Sequence, residues 1–567
     1  MNWLLRSISE IPEELKSIPL SSITLQLLLQ RGFFSKGEIE KFLNTKYEDL
    51  YSPELLRGAK KAVERIGKAK KNNERIVVFG DYDADGVTSA VLLKETLERI
   101  GIEARIYIPD RNKEGYGLNK SALDFIKKEY KPTLLFTVDC GISNKEEIAY
   151  AQKIGLEVIV TDHHSIPKKL PENCIQINPK LPNQKYPFKD LAGVGVVFKL
   201  CQAIWKEFLP ENLEQLKWFL DLVAIGTIAD CVPLIDENRI FAKFGLIVLQ
   251  KTRRLGIQEI IKVARLNINE KNPPSAENVA FQIGPRFNAA GRMDHADVAV
   301  KLLSEKDPVR ARVLALELEG RNNERQKATQ EVYEEVKKTL DPEEEQKLIV
   351  RVGQHWPLGV LGVVAGKIAE EYNCPTFILR QSEGLVEGSG RSIEKFNLIE
   401  AVSQVDKYLE KYGGHSQAMG IKIKPENLSA FEKGLLEIIE KDYDKDTWGK
   451  KIIVDAEIKA EEIGWDIISE IKRFEPFGEG NEEPVFLTRN LVVKEIRLVG
   501  NGQRHLKMIL FPEGNANQCF EGIFFGAGEK ISQLELGSRV SVVYNLRSSE
   551  WNGNHRIEMN ILGIEKN

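Results

Sequence analysis

Carboxylates and imidazoles able to hold divalent cations occur at four places in the 567-residue chain. The first is Asp81-Tyr82-Asp83-Ala84-Asp85-Gly86, three acids at alternate positions before a glycine. Such a run resembles the start of an EF-hand loop, which needs a bidentate glutamate at its twelfth position. Position twelve from Asp81 is Leu92, inside an apolar helical stretch, so an EF-hand is excluded. Asp139 follows Thr137-Val138, Asp162-His163-His164 follows Val160-Thr161, and Asp230 closes an apolar helix with no other charge after Asp221. A carboxylate there is costly to bury unless it is paired or bound to a cation. Several carboxylates with an imidazole suit hard ions such as Mg2+ or Mn2+, and the histidine leans towards Mn2+. Crowded acids also need cations to cancel their repulsion. Two ions about 3.5–4 Å apart would activate a water and stabilise the leaving oxygen of an in-line displacement. Plainer roles exist for each group: a solvated acidic turn at Asp81–Asp85, a helix N-cap at Asp139, surface or core histidines at 163 and 164. No Ser–His–Asp or Cys–His arrangement competes, because the chain has no nucleophile elbow.

These groups share one kind of position: three of the four sit where a short apolar run ends. Arg75–Phe79, Ala104–Ile108, Thr133–Val138 and Glu157–Val160 read as buried strands. Helical stretches alternate with them at Ser89–Ile100, Lys120–Lys128 and Lys145–Ile154. That alternation predicts βαβ units and a parallel sheet covered on both faces, with ligands held at the carboxyl ends of its strands. Residues about 80 positions apart can then share one site. Helices are expected over Val194–Phe208 and Leu213–Ile228, and a long charge-laced helix over 308–340, of the kind that bridges two domains. A second α/β unit runs from Leu348 to about Lys441. From Ile452 the texture becomes β-rich, with five short runs and turns at Asn501-Gly502 and Asn552-Gly553. Five such strands suit a small barrel, with an OB-fold the leading candidate. The first 50 residues read as short helices.

Composition narrows the class. Hydrophobic residues make up 42% and charged residues 29%, as in an ordinary globular protein. No apolar run reaches the roughly 18 residues of a membrane span, and the N-terminus lacks a cleavable signal pattern, so a cytoplasmic location is expected. Six scattered cysteines without a C-x-x-C pair argue against zinc ribbons and disulfides; Cys140 and Cys231, each after an acid, read as small buried neighbours of a site. A net charge of -4 does not point to nucleic acid, so positive charge for phosphates would have to be local.

The motifs GDYDADGVTS, TVDCGIS, VTDHHS and ADCVPL, in this order, resemble those of the DHH phosphoesterase family. PDRNKEGYG, GPRFNAAGRMD, GSGRS and YGGHSQAMG are similar to runs in its RecJ branch of bacterial single-strand-specific 5′→3′ DNA exonucleases. The resemblance covers about residues 70–485 and implies an α/β architecture: a DHH domain over 51–305, a connecting helix over 306–342, a DHHA1 domain over 343–448 and an OB-fold over 449–567, after an N-terminal helical segment, 1–50. It implies two metal ions, Mn2+ or Mg2+, with Asp139 bridging both. Asp83, with Asp81, would hold one ion; Asp85, His163 and Asp230 would hold the other. His164 would stabilise charge at the scissile phosphate, and Asp162 would orient a histidine. Small DHH pyrophosphatases carry a histidine four residues before the first metal aspartate, where this chain has Phe79. Ser389, Arg391 and Arg111 resemble a pocket for a 5′-terminal phosphate, which a guanidinium fork and a hydroxyl suit. His415 would contact a phosphate, Arg286, Asn288 and Arg292 would track the backbone, and Tyr116 would stack on a base. In the barrel, Arg504, His505, Lys507, Arg547, Trp551 and Arg556 are candidate contacts by residue type.

The expected activity is two-metal hydrolysis of single-stranded DNA from its 5′ end to mononucleotides, in repair and recombination, with a single-strand-binding protein or a helicase as partner. A DHH phosphodiesterase for short oligonucleotides or cyclic dinucleotides is the alternative. An inorganic pyrophosphatase is disfavoured by Phe79 and the extra domains, and a catalytically dead DNA-binding scaffold by the full set of acids.

Overall fold

Residues 51–449 and the remainder of the chain form two compact units in the computed structural model. It describes residues 2–567 apart from 112, 113, 116, 294, 342–344, 383, 443–447, 450, 552 and 553. In the 51–449 unit the first apolar run becomes β1 (Ile76–Gly80), buried at every position, as a strand covered on both faces must be. The helix α1 (Ala84–Arg99) leads to β2 (Ala104–Tyr107), and β3 (Leu134–Val138), β4 (Glu157–Thr161) and β5 (Ile175–Ile177) follow. All are parallel, in the order β2-β1-β3-β4-β5. Val77, Phe79, Leu135, Val158 and Val160 pack with Leu123, Ile126 and Ile148 in one core on this sheet. β5 is three residues long, too short to show a period in the sequence.

α2 (Gly193–Phe208) and α3 (Leu220–Ala229) both contact α1. The single helix expected over Leu213–Ile228 is divided: a 3-10 run, Pro210–Phe219, precedes α3. Asp221 sets the break, since its carboxylate takes the Leu222 N–H at 2.7 Å and is tied to the Thr252 hydroxyl at 2.7 Å. α4 (Gly284–Met293) packs on the long helix α5 (Pro308–Lys337), which Asp307 caps by accepting the Arg310 N–H. α5 is mostly polar because only a narrow stripe is buried: Ala311, Ala315, Leu318, Asn322, Thr329, Val332 and Val336.

The second sheet is mixed. β6 (Ile349–Gly353), α6 (Leu358–Tyr372), β7 (Thr376–Ser382), β8 (Leu385–Arg391), β9 (Leu409–Gly414) and β10 (Ala418–Ile423) give the order β9-β10-β8-β7-β6, with only β6 and β7 parallel.

In the other unit β11 (Val485–Val499), β12 (His505–Pro512), β13 (Phe520–Phe524), β14 (Arg539–Trp551) and β15 (Asn554–Lys566) run β11-β12-β13-β15-β14, and β14 pairs back onto β11. This closes a five-stranded barrel of OB type. β11 bends at two register shifts, Val493/Glu495 and Thr488/Leu491, which closure of a small barrel requires. The N-terminal helices Ser22–Gln30 and Lys36–Leu43 share a core with Ile467, Ile471 and Phe474. Asn2–Leu5, expected within a helical segment, is instead a strand beside Lys451–Val454. Asn552-Gly553 lies outside the described residues.

Candidate metal centre and phosphate pocket

Strand ends gather the acids. Asp81 directly follows β1, and Asp83 is the N-cap of α1, accepting the Gly86 N–H at 3.0 Å. Asp85 lies in the first turn of α1; its two oxygens accept the Gly193 and Val194 N–H groups at 2.6 and 2.8 Å, the first donors of α2. Asp139 follows β3 in a left-handed conformation (φ 59°), with its N–H on the Thr161 carbonyl at 3.0 Å. Held strain of this kind at a non-glycine residue is common at active sites. A Cβ on Gly193 would fall 2.7 Å from Asp139 Oδ1, so only glycine lets α2 approach both acids. Asp230 caps the C-terminus of α3.

His163 joins these groups. Its Nε2 is 3.1 Å from Asp139 Oδ1 and 3.6 Å from Asp230 Oδ2. Three overlapping sets place their ligand atoms within 4.8 Å of one another: Asp81, Asp83 and Asp139; Asp85, His163 and Asp230; Asp139, His163 and His164. Asp81 Oδ1 and Asp139 Oδ1 are buried and form no hydrogen bond, and His163, buried beside them, has only the Leu191 backbone as a weak partner for its ring. Buried polar atoms are ordinarily paired, so these donors fit hard divalent ions. Phe79, at the position of the pyrophosphatase histidine, is fully buried and stacked on Tyr107, with Asp81 beside the centre in its stead.

Electrostatics agrees. Burial first, and then the neighbouring acids, hold Asp81, Asp139 and Asp230 well above the usual carboxylate range. Asp85 is pushed up to about 7 by burial and Asp83, against the Gly193 and Val194 N–H groups. His163 falls to about 3, through burial and then the charge of His164. A neutral imidazole is the ligand form. Asp162 differs from the other acids. Burial opposes its charge, yet His164 and backbone donors hold it low. It accepts the N–H groups of Ile142, His163 and His164, and His164 Nδ1 at 2.8 Å. Burial opposes the charge of His164 as well, but the bond to Asp162 raises it.

A second cluster is cationic. Arg391 at the end of β8 donates to the Ser389 hydroxyl at 2.9 Å and the Gly390 carbonyl at 3.0 Å. A Cβ on Gly362, in the first turns of α6, would meet Arg391 Nη2 at 2.9 Å and Ser389 Oγ at 3.1 Å. A Cβ on Gly359 would fall 2.2 Å from the Arg292 carbonyl oxygen. The Arg111 guanidinium lies 5.2 Å from the centroid of the Tyr82 ring. Arg292 is lowered to about 10, by burial first and then by Arg111, Arg325 and Arg391, with Asp83 opposing. Arginines in mutual repulsion at the N-terminus of a helix have the charge that suits an anion.

The other expected contacts have further roles in the fold. Arg286 is buried and gives Nε to Glu319 on α5 at 2.6 Å and Nη1 to the Gln282 carbonyl, so it braces α4 against α5. Asn288 Oδ1 accepts the Ala84 N–H at 2.7 Å, fixing the start of α1. His415 is exposed on the turn between β9 and β10 and feels the charges of His164 and Lys180. Tyr116 lies outside the described residues. Cys140 is buried, but Cys231 is exposed, since Asp230 ends α3 at the surface. Arg325, with a buried Nε that forms no hydrogen bond, was not singled out in the sequence because only the fold brings α5 to Arg292.

Three domain models match the chain: "DHH family, N-terminal domain" over residues 75–227, "DHHA1 domain" over 345–441 and "RecJ OB domain" over 454–563. The single-stranded-DNA-specific exonuclease RecJ of Bacillus subtilis is 39% identical over 557 residues, covering 98% of this chain and 69% of that protein. The chain belongs to the RecJ family. The Haemophilus influenzae protein of the same name is 32% identical, with 97% and 98% covered. A crystal structure of RecJ from Thermus thermophilus in complex with Mn2+ superposes with a TM-score of 0.84 at 28% identity, covering all of this chain and 80% of that one.

In the RecJ-type OB domain here, three of the candidate basic contacts are engaged in ion pairs. Lys507 and Arg556 share Glu521, and Arg547 holds Glu483 with Nε and Nη2. His505 packs edge-on to the exposed Phe525, ring centroids 5.2 Å apart. The side chain of Trp551 lies outside the described residues. No described helix is long and apolar enough to cross a membrane.

Proposed function

We propose that the chain is a metal-dependent exonuclease that hydrolyses single-stranded DNA from its 5′ end and releases mononucleotides. One observation carries this reading: the acid and histidine centre and the arginine pocket lie in one folding unit, with Asp83 within electrostatic reach of Arg292. The RecJ relatives, named for single-stranded DNA, support the substrate, and the Mn2+ in the Thermus structure supports the cofactor.

Asp81, Asp83 and Asp139 would hold one ion, and Asp85, His163 and Asp230 the second, with Asp139 shared. When bound, the two ions supply Lewis acidity and lower the pKa of the attacking water. Around them the chain's own groups have separable tasks. Asp162 fixes the ring of His164 through Nδ1 and favours its protonated form, against the effect of burial, which lets Nε2 donate to a non-bridging phosphate oxygen. Arg391, Ser389 and Arg111 grip the terminal phosphate, and Arg292 adds charge behind it. Fixing that end beside the acids sets which phosphodiester is presented, and so sets the polarity. His415 contacts a phosphate of the strand, and the OB domain supplies further single-strand contacts. Such a substrate fits a cytoplasmic role in repair and recombination, in which a helicase or a single-strand-binding protein would supply the strand.

The test offers 5′-phosphorylated single-stranded DNA, duplex DNA, a dinucleotide, a cyclic dinucleotide and pyrophosphate, each with Mn2+ and with Mg2+. Stepwise mononucleotide release from the single strand alone is expected. Dominant cleavage of the cyclic dinucleotide would move the chain to the phosphodiesterase reading.

A further inference from the structure

Like β1, β3 and β4, the strand β5 ends at the edge that carries the acids. Beyond Ile177 the chain turns through Asn178-Pro179-Lys180-Leu181, closed by the Leu181 N–H on the Asn178 carbonyl at 3.2 Å. Asn178 is fully buried. Its amide donates to the His164 carbonyl at 3.0 Å, and its side-chain oxygen accepts the Lys180 N–H at 2.8 Å. One side chain therefore ties the loop of His163 and His164 to the backbone of Lys180. Lys180 is half-buried, and among the described residues its ammonium makes no ion pair or hydrogen bond. Its charge nevertheless reaches three groups on three elements: His163, Asp230 and His415. The Asp230 side chain there keeps 22% exposure.

A lysine held within reach of Asp230 without pairing with it is poised for an anion that arrives from outside. We propose that Lys180 is a substrate contact whose ammonium takes a non-bridging phosphate oxygen of the single strand at the Asp230 edge of the centre. This rests on the exonuclease reading and adds a residue to it. A compact, strongly hydrated charge on a flexible stem suits a strand that advances after each cut, since it can release one phosphate and meet the next.

The test compares wild type, Lys180→Gln and Lys180→Arg in the full chain, cutting a 5′-phosphorylated oligonucleotide with Mn2+ across a range of KCl concentrations. Lys180→Gln should lower kcat/KM about 10-fold, the cost of one charged hydrogen bond. The slope of log kcat/KM against log salt should become shallower by about 0.7, one single-strand phosphate contact. Lys180→Arg should keep the wild-type slope, and the Mn2+ midpoint should stay within about twofold in both variants, since neither loses a ligand. An unchanged slope in Lys180→Gln would overturn the proposal. So would a loss of rate traced wholly to a shifted Mn2+ midpoint, the mark of a lysine that only offsets the acids. The same slopes, read from the anisotropy of a labelled strand in EDTA, decide the role of Lys180 even if wild type binds DNA without cutting it. That last result would refute the exonuclease reading alone.

Discussion

Asp162 Oδ1 accepts His164 Nδ1 at 2.8 Å while the same oxygen takes the backbone N–H groups of both His163 and His164. One carboxylate thus sets the loop that carries two imidazoles, and it belongs to none of the three sets of candidate ligands. Removing its charge should cost function without removing a ligand. Asp162→Asn is expected to lower kcat about 10- to 100-fold, the usual range for partners of a metal-site histidine. Far-UV circular dichroism should be unchanged. Turnover at the wild-type level would show that the ring of His164 needs no such anchor.

Asp139 makes the sharpest separation between chemistry and binding. Its carboxylate touches His163 and completes the set with Asp81 and Asp83, but the arginine pocket and the barrel do not depend on it. Asp139→Ala should abolish cleavage and leave the affinity for a single strand within a few-fold of wild type by anisotropy. Residual turnover near wild type would refute the bridging role.

Much of this centre is legible in the sequence because β1, β3 and β4 each end on an acid, and parallel strands bring such ends together. The strand runs themselves differ from the observed elements by a residue or two. What pattern could not supply is pairing across long separations. Gly193 donating to Asp85, Asn288 accepting from Ala84 and Glu319 holding Arg286 join residues 108, 204 and 33 positions apart. No local period encodes them. Arg286 therefore reads as a phosphate contact in sequence and is a brace in the fold, whereas β5 and its Lys180 turn were hidden by the shortness of the strand.

The proposed phosphate pocket predicts a preference. Arg391 is fixed by Ser389 and the Gly390 carbonyl, and its charge is opposed by burial first and then by Arg111. Arg391→Ala should reduce the ratio of kcat/KM for 5′-phosphate over 5′-hydroxyl ends by about 10-fold or more, with little change on 5′-hydroxyl strands. Lysine should not restore the ratio, because it lacks the planar fork. An unchanged ratio would remove Arg391 from the pocket.

The buried pair Lys199 and Glu237 predicts a stability effect distant from the acids. Both side chains are fully buried with Nζ 3.1 Å from Oε1, and Glu237 also takes the Tyr186 hydroxyl and the Tyr51 N–H. Burial lowers Lys199 and raises Glu237, so each depends on the other for its charge. Lys199→Met leaves a lone buried carboxylate and should destabilise the unit by about 3–5 kcal/mol. The double variant with Glu237→Gln should recover part of that in urea unfolding; no recovery would mean that the loss comes from packing.

Metal removal should expose the cost of crowding the acids, and its pH dependence has a definite sign. Asp81, Asp85, Asp139 and Asp230 are all raised, Asp85 to about 7. Between the unfolded carboxylate value of about 4 and these raised values, the metal-free native chain binds protons that the unfolded chain has released. Their contribution is therefore intact at acid pH and is lost as pH rises through neutrality. In EDTA the melting temperature should fall from about pH 5 to about pH 8, by roughly 2–4 °C for each kcal/mol lost. Saturating Mn2+ binds only the native centre and replaces protons as the neutralising charge. It should raise the melting temperature most at the alkaline end and flatten the profile. A metal-free profile that rises with pH over this range would contradict the raised acids, and an equal Mn2+ shift at every pH would place the ion elsewhere.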